Sequence, residues 1–578
     1  MNAGGTPPRW DEEVDLLAIG AGMGGLCAAL FGALEGFDVL LCEKTDRVGG
    51  TTATSAGTVW IPGGGADGGD PAADLAGAAC YLDAEIGNRG DRALREAFLA
   101  SGREALEHLQ RGTAVKFRPA APHPDYHPDL PGWSGRGRAF ATVPFDGGAL
   151  GQDFALVRPP IAPFMVLGGL MIGRDDIPHF VRPLASPRSF FYVARILARH
   201  ALDRLRHSRG ARLVMGNALV ARLLASLRAR NVKLRLNCRL VELIGDRERI
   251  EGAVVEANGA LKRVRARRGV ILATGGFSHN AALRSELLER PGPTCSVAFA
   301  GNSGDGMSAA RILGAAFGEA AGNAAFWMPV SRMPVSSMTG AAGETLFPHI
   351  VLDRAKPGLI AVNSAGRRFV NEADSYHDFV AGMFRSHATT PTIPAYLVCD
   401  RSFIRDYGIG LVHPGSSERA IARFVAAGYL RKGKTLADLA SRLGIDAHRF
   451  ERSVADHNRY AATGLDEEFG KGTTALNRHN GDARNVPNPC LRPIAQAPFF
   501  AVAVYPGEFG TSVGLRTDGD ARVRRADGAA IAGLYACGND MSSIMEGAYP
   551  GPGTTLGPAL VFAYRAVRHM ARARPGSN

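Results

Sequence analysis

From Val14 to Lys44 the chain reads VDLLAIGAGMGGLCAALFGALEGFDVLLCEK. The first six residues form a short, largely apolar run, which is typical of a buried strand. Three glycines then follow in the G-x-G-x-x-G spacing, at Gly20, Gly22 and Gly25. In this arrangement the first glycine permits a tight turn, the second lets the backbone approach a pyrophosphate, and the third lets helix and strand pack closely.

The residues after the glycines complete the unit. A helical run, Leu26 to Leu34, leads to a second strand-like run, Phe37 to Leu41, and the acidic Glu43 follows. A carboxylate about twenty residues after the glycines can accept both ribose hydroxyls of an adenosine. Strand, glycine turn, helix, strand and acidic end together predict a βαβ unit that binds a dinucleotide. A structural glycine turn would explain the glycines alone, but not the whole set.

Three later segments extend this prediction. The loop Gly49 to Gly57 is rich in Gly, Thr and Ser, and it can run beneath phosphates or be a flexible surface loop. The strand-like run Gly269 to Leu272 ends in A-T-G-G, and Leu534 to Ala536 ends in C-G-N. With these segments the sequence resembles the flavoproteins of the fumarate reductase and 3-ketosteroid dehydrogenase superfamily, over most of the chain except roughly residues 150 to 225.

The resemblance implies bound FAD. The first loop then binds the diphosphate, the A-T-G-G end lies near the adenosine half, and the G-N segment reaches the ribityl chain. Covalent members of the group attach flavin through a histidine after the second strand, and residues 51 to 58 contain none, so non-covalent FAD is expected. The residues assigned to the cofactor are Gly20, Gly22, Gly24, Gly25, Glu43, Lys44, Gly50, Thr51, Thr52, Ala56, Gly57, Val241, Ala273, Gly275, Gly276, Gly538, Asn539 and Leu556.

Tyrosines distinguish the substrate class. The segment 366 to 372 resembles the R-F-V-N-E signature of the superfamily and is predicted to form a strand and turn. Dicarboxylate reductases carry an arginine four residues after its glutamate, where this chain has Tyr376. A neutral phenol cannot clamp a carboxylate as a guanidinium does, which argues against a fumarate-like substrate.

Two further segments resemble the 3-ketosteroid Δ1-dehydrogenases. Y-P-G-P-G at 549 to 553 is similar to the motif that grips the substrate ketone, with the Tyr549 hydroxyl and the Gly553 amide forming an oxyanion hole. P-D-Y-H-P at 124 to 128 resembles the stretch that carries another catalytic tyrosine, here Tyr126. Each segment also has a plainer interpretation, as a proline-fixed turn with a packed tyrosine. His123 and His127 are four residues apart, but the prolines around them exclude a helical zinc pair, and no metal is expected.

The resemblance implies a reaction. Tyr549 and Gly553 polarise the 3-ketone, Tyr376 removes the C2 proton as a phenolate or through Tyr126, and hydride passes from C1 to flavin N5. An external electron acceptor, such as a quinone or a dye, then reoxidises the flavin. Δ4-dehydrogenation is the nearest alternative, and reduction of an unsaturated acid is a more distant one. A non-enzymatic hypothesis is a membrane- or RNA-associated flavin-binding protein.

The predicted fold is α/β. A discontinuous Rossmann-like FAD-binding domain spans about 1 to 335 and 510 to 578, and a mixed α+β catalytic domain of the fumarate reductase flavoprotein type spans about 336 to 509. The eight cysteines lack zinc spacing and are predicted to be reduced core residues. The first thirteen residues lack a signal-like apolar run, so we expect a cytoplasmic protein.

Most of the positive charge lies in one segment. The formal net charge is +12, and residues 174 to 230, with twelve Arg, no Lys and three acidic residues, contribute +9 of it. Phe190, Leu197 and Leu205 recur on one face of a predicted helix at 189 to 206, opposite Arg195 and Arg199. The helix either packs on its own domain or contacts a membrane through about 155 to 206. No aromatic-interleaved basic groove accompanies the charge, so nucleic acid is not expected as a partner.

Overall fold

The predicted first strand, observed at Glu12–Ile19, is central to an eight-stranded sheet in a computed structural model. The model describes residues 9–66, 68–120, 122–181, 183–288, 294–319, 323–334, 343–350 and 352–573. In spatial order the sheet runs Lys233–Arg235, Val39–Cys42, Glu12–Ile19, Ala260–Leu272, Ile250–Ala257 and Cys238–Gly245, with Ala530–Ala536 beside Ala260–Leu272 and Arg522–Arg524 beside Ala530–Ala536.

The first βαβ unit forms as the sequence predicts. Helix Met23–Leu34 connects Glu12–Ile19 to the parallel strand Val39–Cys42, and Leu16 pairs with Val39. Leu16 and Leu17 are fully buried, because helices cover both faces of a parallel sheet. The helices of this layer are Met23–Leu34, Pro71–Ile86, Arg92–Gly112, Met215–Ala229, Ala281–Leu287, Asp305–Ile312 and Leu556–Arg572.

A second sheet is assembled around the long strand Phe499–Thr511. Its other strands are Cys295–Ser296, Ala325–Pro334, Glu344–Pro348, Leu359–Val362, Ala395–Asp400 and Leu430–Gly433. Helices around it are Tyr376–His387, Arg401–Asp406, Glu418–Ala426, Leu436–Leu443, Ala447–Thr463 and Ala475–Asn480. This sheet therefore begins within the predicted first domain, and residue 335, the predicted boundary, lies outside the described residues.

Three small sheets accompany the two large ones in the described residues. Thr58–Trp60 pairs with Ala139–Thr142, which pairs in turn with Phe117–Pro119. Two-stranded pairs form between Phe145–Asp146 and Arg212–Leu213, and between Met165–Val166 and Leu170–Met171. The last helix of the chain, Leu556–Arg572, packs against the first, Met23–Leu34, and against Arg92–Gly112.

The basic segment contains the helices Ile177–Val181 and Pro187–Arg204. The longer helix buries Ser189, Val193, Ile196 and His200. The predicted apolar face was therefore wrong as a packing face: Phe190 and Leu205 are exposed, because the inward face is offset by one residue, about 100° around the helix, from the predicted face. The next helix, Met215–Ala229, is largely buried against Met23–Leu34.

Two further features of the described chain are its membrane-spanning potential and the burial of its cysteines. Within the described part of the chain, helices long and apolar enough to cross a bilayer are absent. All eight cysteines are free, and six are buried, but Cys80 is exposed and Cys295 is only partly covered. The prediction of core cysteines was thus wrong for Cys80, which lies on the outer face of helix Pro71–Ile86.

Candidate active site

The glycine turn divides into packing positions and open positions. A Cβ on Gly25 would lie 1.7 Å from the Gly20 carbonyl oxygen, and one on Gly20, where φ is +100°, would lie 2.3 Å from the carbonyl oxygen of Ala273. By contrast, a Cβ on Gly22 or Gly50 would meet no atom closer than 3.8 Å. Gly20 and Gly25 thus hold helix against strand, while open space remains in front of Gly22 and Gly50.

That open space lies at the N-terminus of helix Met23–Leu34. Gly22 is the N-cap residue and offers no side chain to satisfy the first amides. The Thr52 hydroxyl accepts from the Met23 amide at 3.0 Å, and a Cβ on Gly24 would lie 2.8 Å from Cys537 Sγ. A helix start with free amides beside a glycine loop suits a diphosphate, so the residues present fit the pyrophosphate of FAD.

The predicted adenosine side is organised by Glu43. One of its carboxylate oxygens accepts from the Ala21 amide at 2.9 Å, and the other accepts from the amide and hydroxyl of Thr45. Lys44 turns away to Asp305, at 2.7 Å. Val241 is the extra residue of a β-bulge between Leu240 and Glu242, so its backbone is free of the ladder pairing that would prevent contact with an adenine.

The other predicted cofactor residues lie along the same surface. The Thr51 hydroxyl accepts from the Phe299 amide at 3.0 Å. Gly57 lies against the backbone of Met215, next to Ala56, and a Cβ at Gly57 would lie 2.5 Å from that backbone. Leu556 opens the last helix.

Asp540 joins two predicted loops. Its buried carboxylate accepts from the amides of Thr274 and Gly276, at 2.6 and 2.9 Å, and from the Thr274 hydroxyl. Gly275 and Gly276 have φ values of +95° and +79°, a conformation that side chains rarely adopt. The A-T-G-G end and the G-N segment are therefore held together by one carboxylate, one position beyond the predicted Asn539.

A cleft runs from this junction toward the tyrosines. It lies between the G-N segment and the start of helix Leu556–Arg572, whose N-cap Thr555 makes no side-chain cap. Its lining comprises Phe326, Gly538, Asn539, Met541, Ser542, Ser543, Ile544, Thr554, Thr555, Pro558 and Phe562. A cleft with a helix N-terminus at one end suits the ribityl chain and the ring system of a flavin.

The three predicted tyrosines lie together in one buried cluster. The Tyr376 hydroxyl donates to the Tyr549 hydroxyl at 3.0 Å. The Tyr126 ring is 6.1 Å from the Tyr376 ring and 5.9 Å from the Tyr549 ring. Phe326 and Leu476 complete the apolar surroundings. Residues separated by hundreds of positions thus present three phenols to one small volume.

Gly553 belongs to the same arrangement. Its φ is +95°, and a Cβ there would lie 2.6 Å from the Thr58 carbonyl oxygen and 2.8 Å from the Trp60 nitrogen. The Trp60 amide donates to the Gly553 carbonyl oxygen at 3.1 Å. The Gly553 amide lies within hydrogen-bonding reach of the Tyr549 hydroxyl, so the two donors are neighbours.

Burial raises the pKa of Tyr126, Tyr376 and Tyr549, so each is a neutral phenol at rest. Arg354 supplies buried positive charge nearby. Its guanidinium donates to the carbonyl oxygens of His349, Ile350, Glu372 and Asp374, at 2.7 to 3.2 Å. Burial lowers the pKa of Arg354 to about 10, and negative charge on Tyr126 would oppose that shift.

An ionic network fixes the Tyr126 segment. The Asp125 carboxylate is fully buried, accepts from Trp60 Nε1 at 2.8 Å and forms an ion pair with Arg138. Arg138 also bonds Asp74 at 2.6 Å. The amide of Tyr126 donates to the Pro550 carbonyl oxygen at 2.8 Å, which links two of the three tyrosine segments directly.

The third tyrosine is the first residue of helix Tyr376–His387, which Ser375 caps. The segment before it forms a turn with one isolated bridge, Val362 to Arg368, so the predicted strand was wrong there. Arg368 is instead buried between Glu372 and Asp466, at 2.9 and 2.8 Å, and these ion pairs hold the turn that places Tyr376.

Both histidines beside the tyrosines have partners. His127 lies between two carboxylates, with Nδ1 2.7 Å from Glu85 and Nε2 3.0 Å from Asp378. His377 accepts from the Trp327 amide at 3.2 Å, and its ring stacks on Tyr549 at 5.8 Å. His377 reaches Tyr549 because it follows Tyr376 on a helix and not on a strand, where neighbouring side chains face opposite ways.

Comparison with known proteins agrees with this geometry. Residues 15–556 match the family described as FAD binding domain.

The chain belongs to that family.

Similar members of the FAD-binding family span nearly the whole chain. A 4-oxocyclohex-2-ene-1-carboxylate 5-dehydrogenase from Sinomonas cyclohexanicum is 36% identical, over 96% of this chain and 94% of the relative. A 3-oxosteroid 1-dehydrogenase from Mycolicibacterium smegmatis is 34% identical, over 97% of each chain. A crystal structure of 3-ketosteroid Δ1-dehydrogenase from Sterolibacterium denitrificans, in complex with 1,4-androstadiene-3,17-dione, has a TM-score of 0.89 at 34% identity and covers 97% of this chain and 100% of its own.

These matches confirm the resemblance drawn from the motifs, the α/β fold class and FAD as the cofactor of an oxidoreductase.

The residues that sequence reasoning missed are Asp540, Asp125, Arg138 and Arg354. Only Asp540 left a visible signal, as an acidic residue directly after the G-N pair. The others act through pairs distant in sequence, so no local pattern identifies them.

His127 gives a pH-dependent prediction. Its two carboxylate partners outweigh burial and raise its pKa to about 10, and His127 and Ser375 lower the pKa of Asp378 to about 2. The stabilisation from His127 is complete below about pH 6.5, its unfolded value, and is lost as pH rises through 10. We expect His127→Gln to lower the free energy of unfolding by about 2–4 kcal/mol at pH 6 and by much less at pH 10.

Urea titrations at pH 6, 8 and 10 measure this difference, with His413→Gln, at an exposed histidine, as the matched control. An equal loss at all three pH values would show that His127 acts through packing and not through its charge.

Proposed function

We propose that the chain is an FAD-dependent 3-ketosteroid Δ1-dehydrogenase. The observation that carries the proposal is the convergence of Tyr126, Tyr376 and Tyr549 with the Gly553 amide beside a cleft suited to a flavin. Similarity to 3-oxosteroid 1-dehydrogenases over almost the whole chain supports it.

The first step is activation of the ketone. The Tyr549 hydroxyl and the Gly553 amide donate to the 3-oxo oxygen and stabilise the negative charge that develops there as the neighbouring CH₂ loses a proton. Because Tyr549 accepts from Tyr376 in the resting protein, its own hydroxyl proton is left to donate to the ketone oxygen.

The second step is removal of the C2 proton. Tyr376 is the base: its own proton leaves through its ring neighbour Tyr126, and the phenolate oxygen takes the proton from C2. Since burial disfavours a phenolate, the positive charge of Arg354 stabilises the anionic form while the proton moves. Bound FAD supplies the acceptor, at N5, for the hydride from C1.

Two alternatives receive less support. Δ4-dehydrogenation would use the same ketone grip for another carbon pair, but the steroid dehydrogenases that are 34% identical to this chain carry the 1-dehydrogenase name. Reduction of an unsaturated acid would need a guanidinium where Tyr376 stands.

The decisive experiment uses the purified flavoprotein. We expect a yellow protein that releases its flavin on denaturation and that converts a 4-ene-3-ketosteroid to the 1,4-diene with a dye or a quinone as the external electron acceptor. Mass spectrometry and NMR of the product distinguish Δ1 from Δ4 chemistry. Absence of turnover with a panel of neutral 3-ketosteroids would reject the proposal.

We also propose that the basic segment touches a membrane surface. Of the thirteen exposed large apolar side chains in the described residues, seven lie between residues 167 and 205, and we refer to them as the apolar patch: Leu167, Val181, Leu184, Phe190, Phe191, Leu202 and Leu205. The exposed Arg188, Arg195 and Arg206 accompany it. Apolar side chains beside arginines suit the boundary between acyl chains and anionic headgroups, where a sterol-like substrate also dissolves.

The membrane contact has a matched test. Leu184→Ser with Leu205→Ser, both 82% exposed, is expected to lower co-sedimentation with phosphatidylglycerol-containing vesicles by about tenfold. Ile312→Ser with Val486→Ser, both 81% exposed and outside the patch, is expected to leave it unchanged. Equal behaviour of the two double variants would remove the membrane from the proposal.

A further inference from the structure

Three basic side chains from distant parts of the chain meet beside the tyrosines. Arg174 comes from the basic segment, His123 from the segment that carries Tyr126, and His479 from helix Ala475–Asn480. One guanidinium nitrogen of Arg174 lies 3.3 Å from His123 Nδ1, and another contacts His479 Nε2. The two imidazole rings stack at 4.8 Å. We refer to Arg174, His123 and His479 as the basic triad.

The basic triad has no acidic counterpart. Within the described ranges, no carboxylate lies within ion-pair distance of Arg174, and the neighbouring Asp175 pairs with Arg118 instead. Lys356 adds a second positive charge next to His479, where its ammonium donates to the carbonyl oxygens of Asn480 and Gly481 at 2.6 and 2.8 Å. The exposed guanidinium of Arg174 thus has no counter-charge from the described part of the chain, and an anion from solution would supply one.

One hydrogen-bond donor in the triad is also left over. Because Arg174 can only donate, His123 Nδ1 accepts, and the ring proton resides on Nε2. That Nε2 is buried and finds no partner among the residues that the structure describes. Burial and the charge of Arg174 lower the pKa of both histidines, that of His479 to about 3, so they stay neutral and Arg174 keeps the charge. A buried N–H without a partner indicates an acceptor that is supplied from outside the chain.

The triad adjoins the reacting centre. The His123 ring lies 6.2 Å from the Tyr126 ring, which is itself 5.9 Å from the Tyr549 ring. Leu476, one helical turn before His479, belongs to the tyrosine cluster. A single tyrosine ring therefore separates the triad from the proposed ketone grip.

On the basis of the dehydrogenase function proposed above, we propose that the basic triad is a subsite for a carboxylate on the substrate. The preferred substrates are then ring ketones that also carry an acid group, with the ketone at Tyr549 and Gly553 and the carboxylate at Arg174 and His123. Charge-assisted bonds from a guanidinium and a buried imidazole N–H would select the acid over a neutral analogue of the same shape.

The test compares acids with their methyl esters. Two pairs are used, a 3-oxosteroid with a side-chain carboxylate and 4-oxocyclohexanecarboxylate, each with its ester. With the wild-type holoenzyme we expect kcat/KM for the acid to exceed that for the ester by about tenfold to a hundredfold in at least one pair. Arg174→Gln is expected to bring that ratio close to one, and His123→Phe, which keeps the stacked ring, to lower it by about tenfold.

Arg195→Gln makes the same charge change elsewhere in the basic segment and is expected to preserve the ratio. Binding of the acids is followed independently by the change that they cause in the flavin absorption spectrum under anaerobic conditions. Equal kcat/KM for acid and ester in both wild-type pairs would overturn the subsite, as would an Arg174→Gln variant that loses both activities equally. Turnover without discrimination defeats only this inference, whereas no turnover of any ring ketone, neutral 3-ketosteroids included, defeats the proposed function.

Discussion

Tyr376→Phe is expected to lower kcat for a 3-ketosteroid by about 10³-fold or more while flavin content and thermal stability stay close to those of the wild type. The phenol is the proposed base, and a positioned base contributes on the order of 10²–10⁴ to the rate. The substitution also removes the donor to Tyr549, which lies 3.0 Å away. Substrate binding should change little, because the aromatic ring remains in the cluster.

Tyr396→Phe is the matched control, since Tyr396 lies in the second sheet and its hydroxyl reaches only the Leu443 carbonyl oxygen, at 3.5 Å. Single-turnover reduction of the flavin separates the chemical step from reoxidation by the acceptor. Retention of more than a tenth of wild-type flavin reduction by Tyr376→Phe would exclude Tyr376 as the base. The non-enzymatic hypothesis predicts instead that Tyr376→Phe leaves the cellular function unchanged and that Arg195→Glu abolishes it.

Gly553→Ala is expected to lower kcat/KM by at least about a hundredfold, since removal of one oxyanion-hole donor costs on the order of 10²–10³ in rate. The new Cβ would lie 2.6 Å from the Thr58 carbonyl oxygen, and φ at this position is +95°. The loop must therefore shift, and the Gly553 amide moves away from the region that Tyr549 shares with it.

Gly444→Ala controls for backbone strain alone, because φ there is +68° and a Cβ would meet nothing within 4 Å. The measurements are kcat/KM, flavin content and the midpoint of thermal unfolding for both variants. Activity of Gly553→Ala within threefold of Gly444→Ala would mean that the Gly553 amide does not contact the ketone.

The first βαβ unit could be predicted because its information is local. Gly20, Gly22 and Gly25 lie within a few residues of one another and form one turn. The adjacent apolar residues Leu16 and Leu17 predict a strand that is buried on both faces. The helix at 187 to 204 was predictable in extent for the same reason. Its inward face was not, because exposed Phe190 and Leu205 look identical in sequence to buried residues.

The candidate site was predictable only where a motif carries it. Tyr549 and Gly553 share one short segment, and resemblance identified Tyr126 and Tyr376. The partners that hold them, such as Asp125 with Arg138 and Arg368 with Asp466, are 13 and 98 residues apart. No periodicity links such residues, so only the folded chain brings them together. The basic triad belongs to the same class, with His479 lying 305 residues from Arg174.

The contact between the two ends of the chain has a consequence for biosynthesis. Gly24 at the start of the first helix lies against Cys537 and Gly538, Asp540 ties the A-T-G-G end, and the final helix covers Met23–Leu34. During translation, the first part of the nucleotide-binding site is therefore synthesised long before the second part. The nascent chain must keep an apolar sheet from aggregating until the segment 537–572 has been translated.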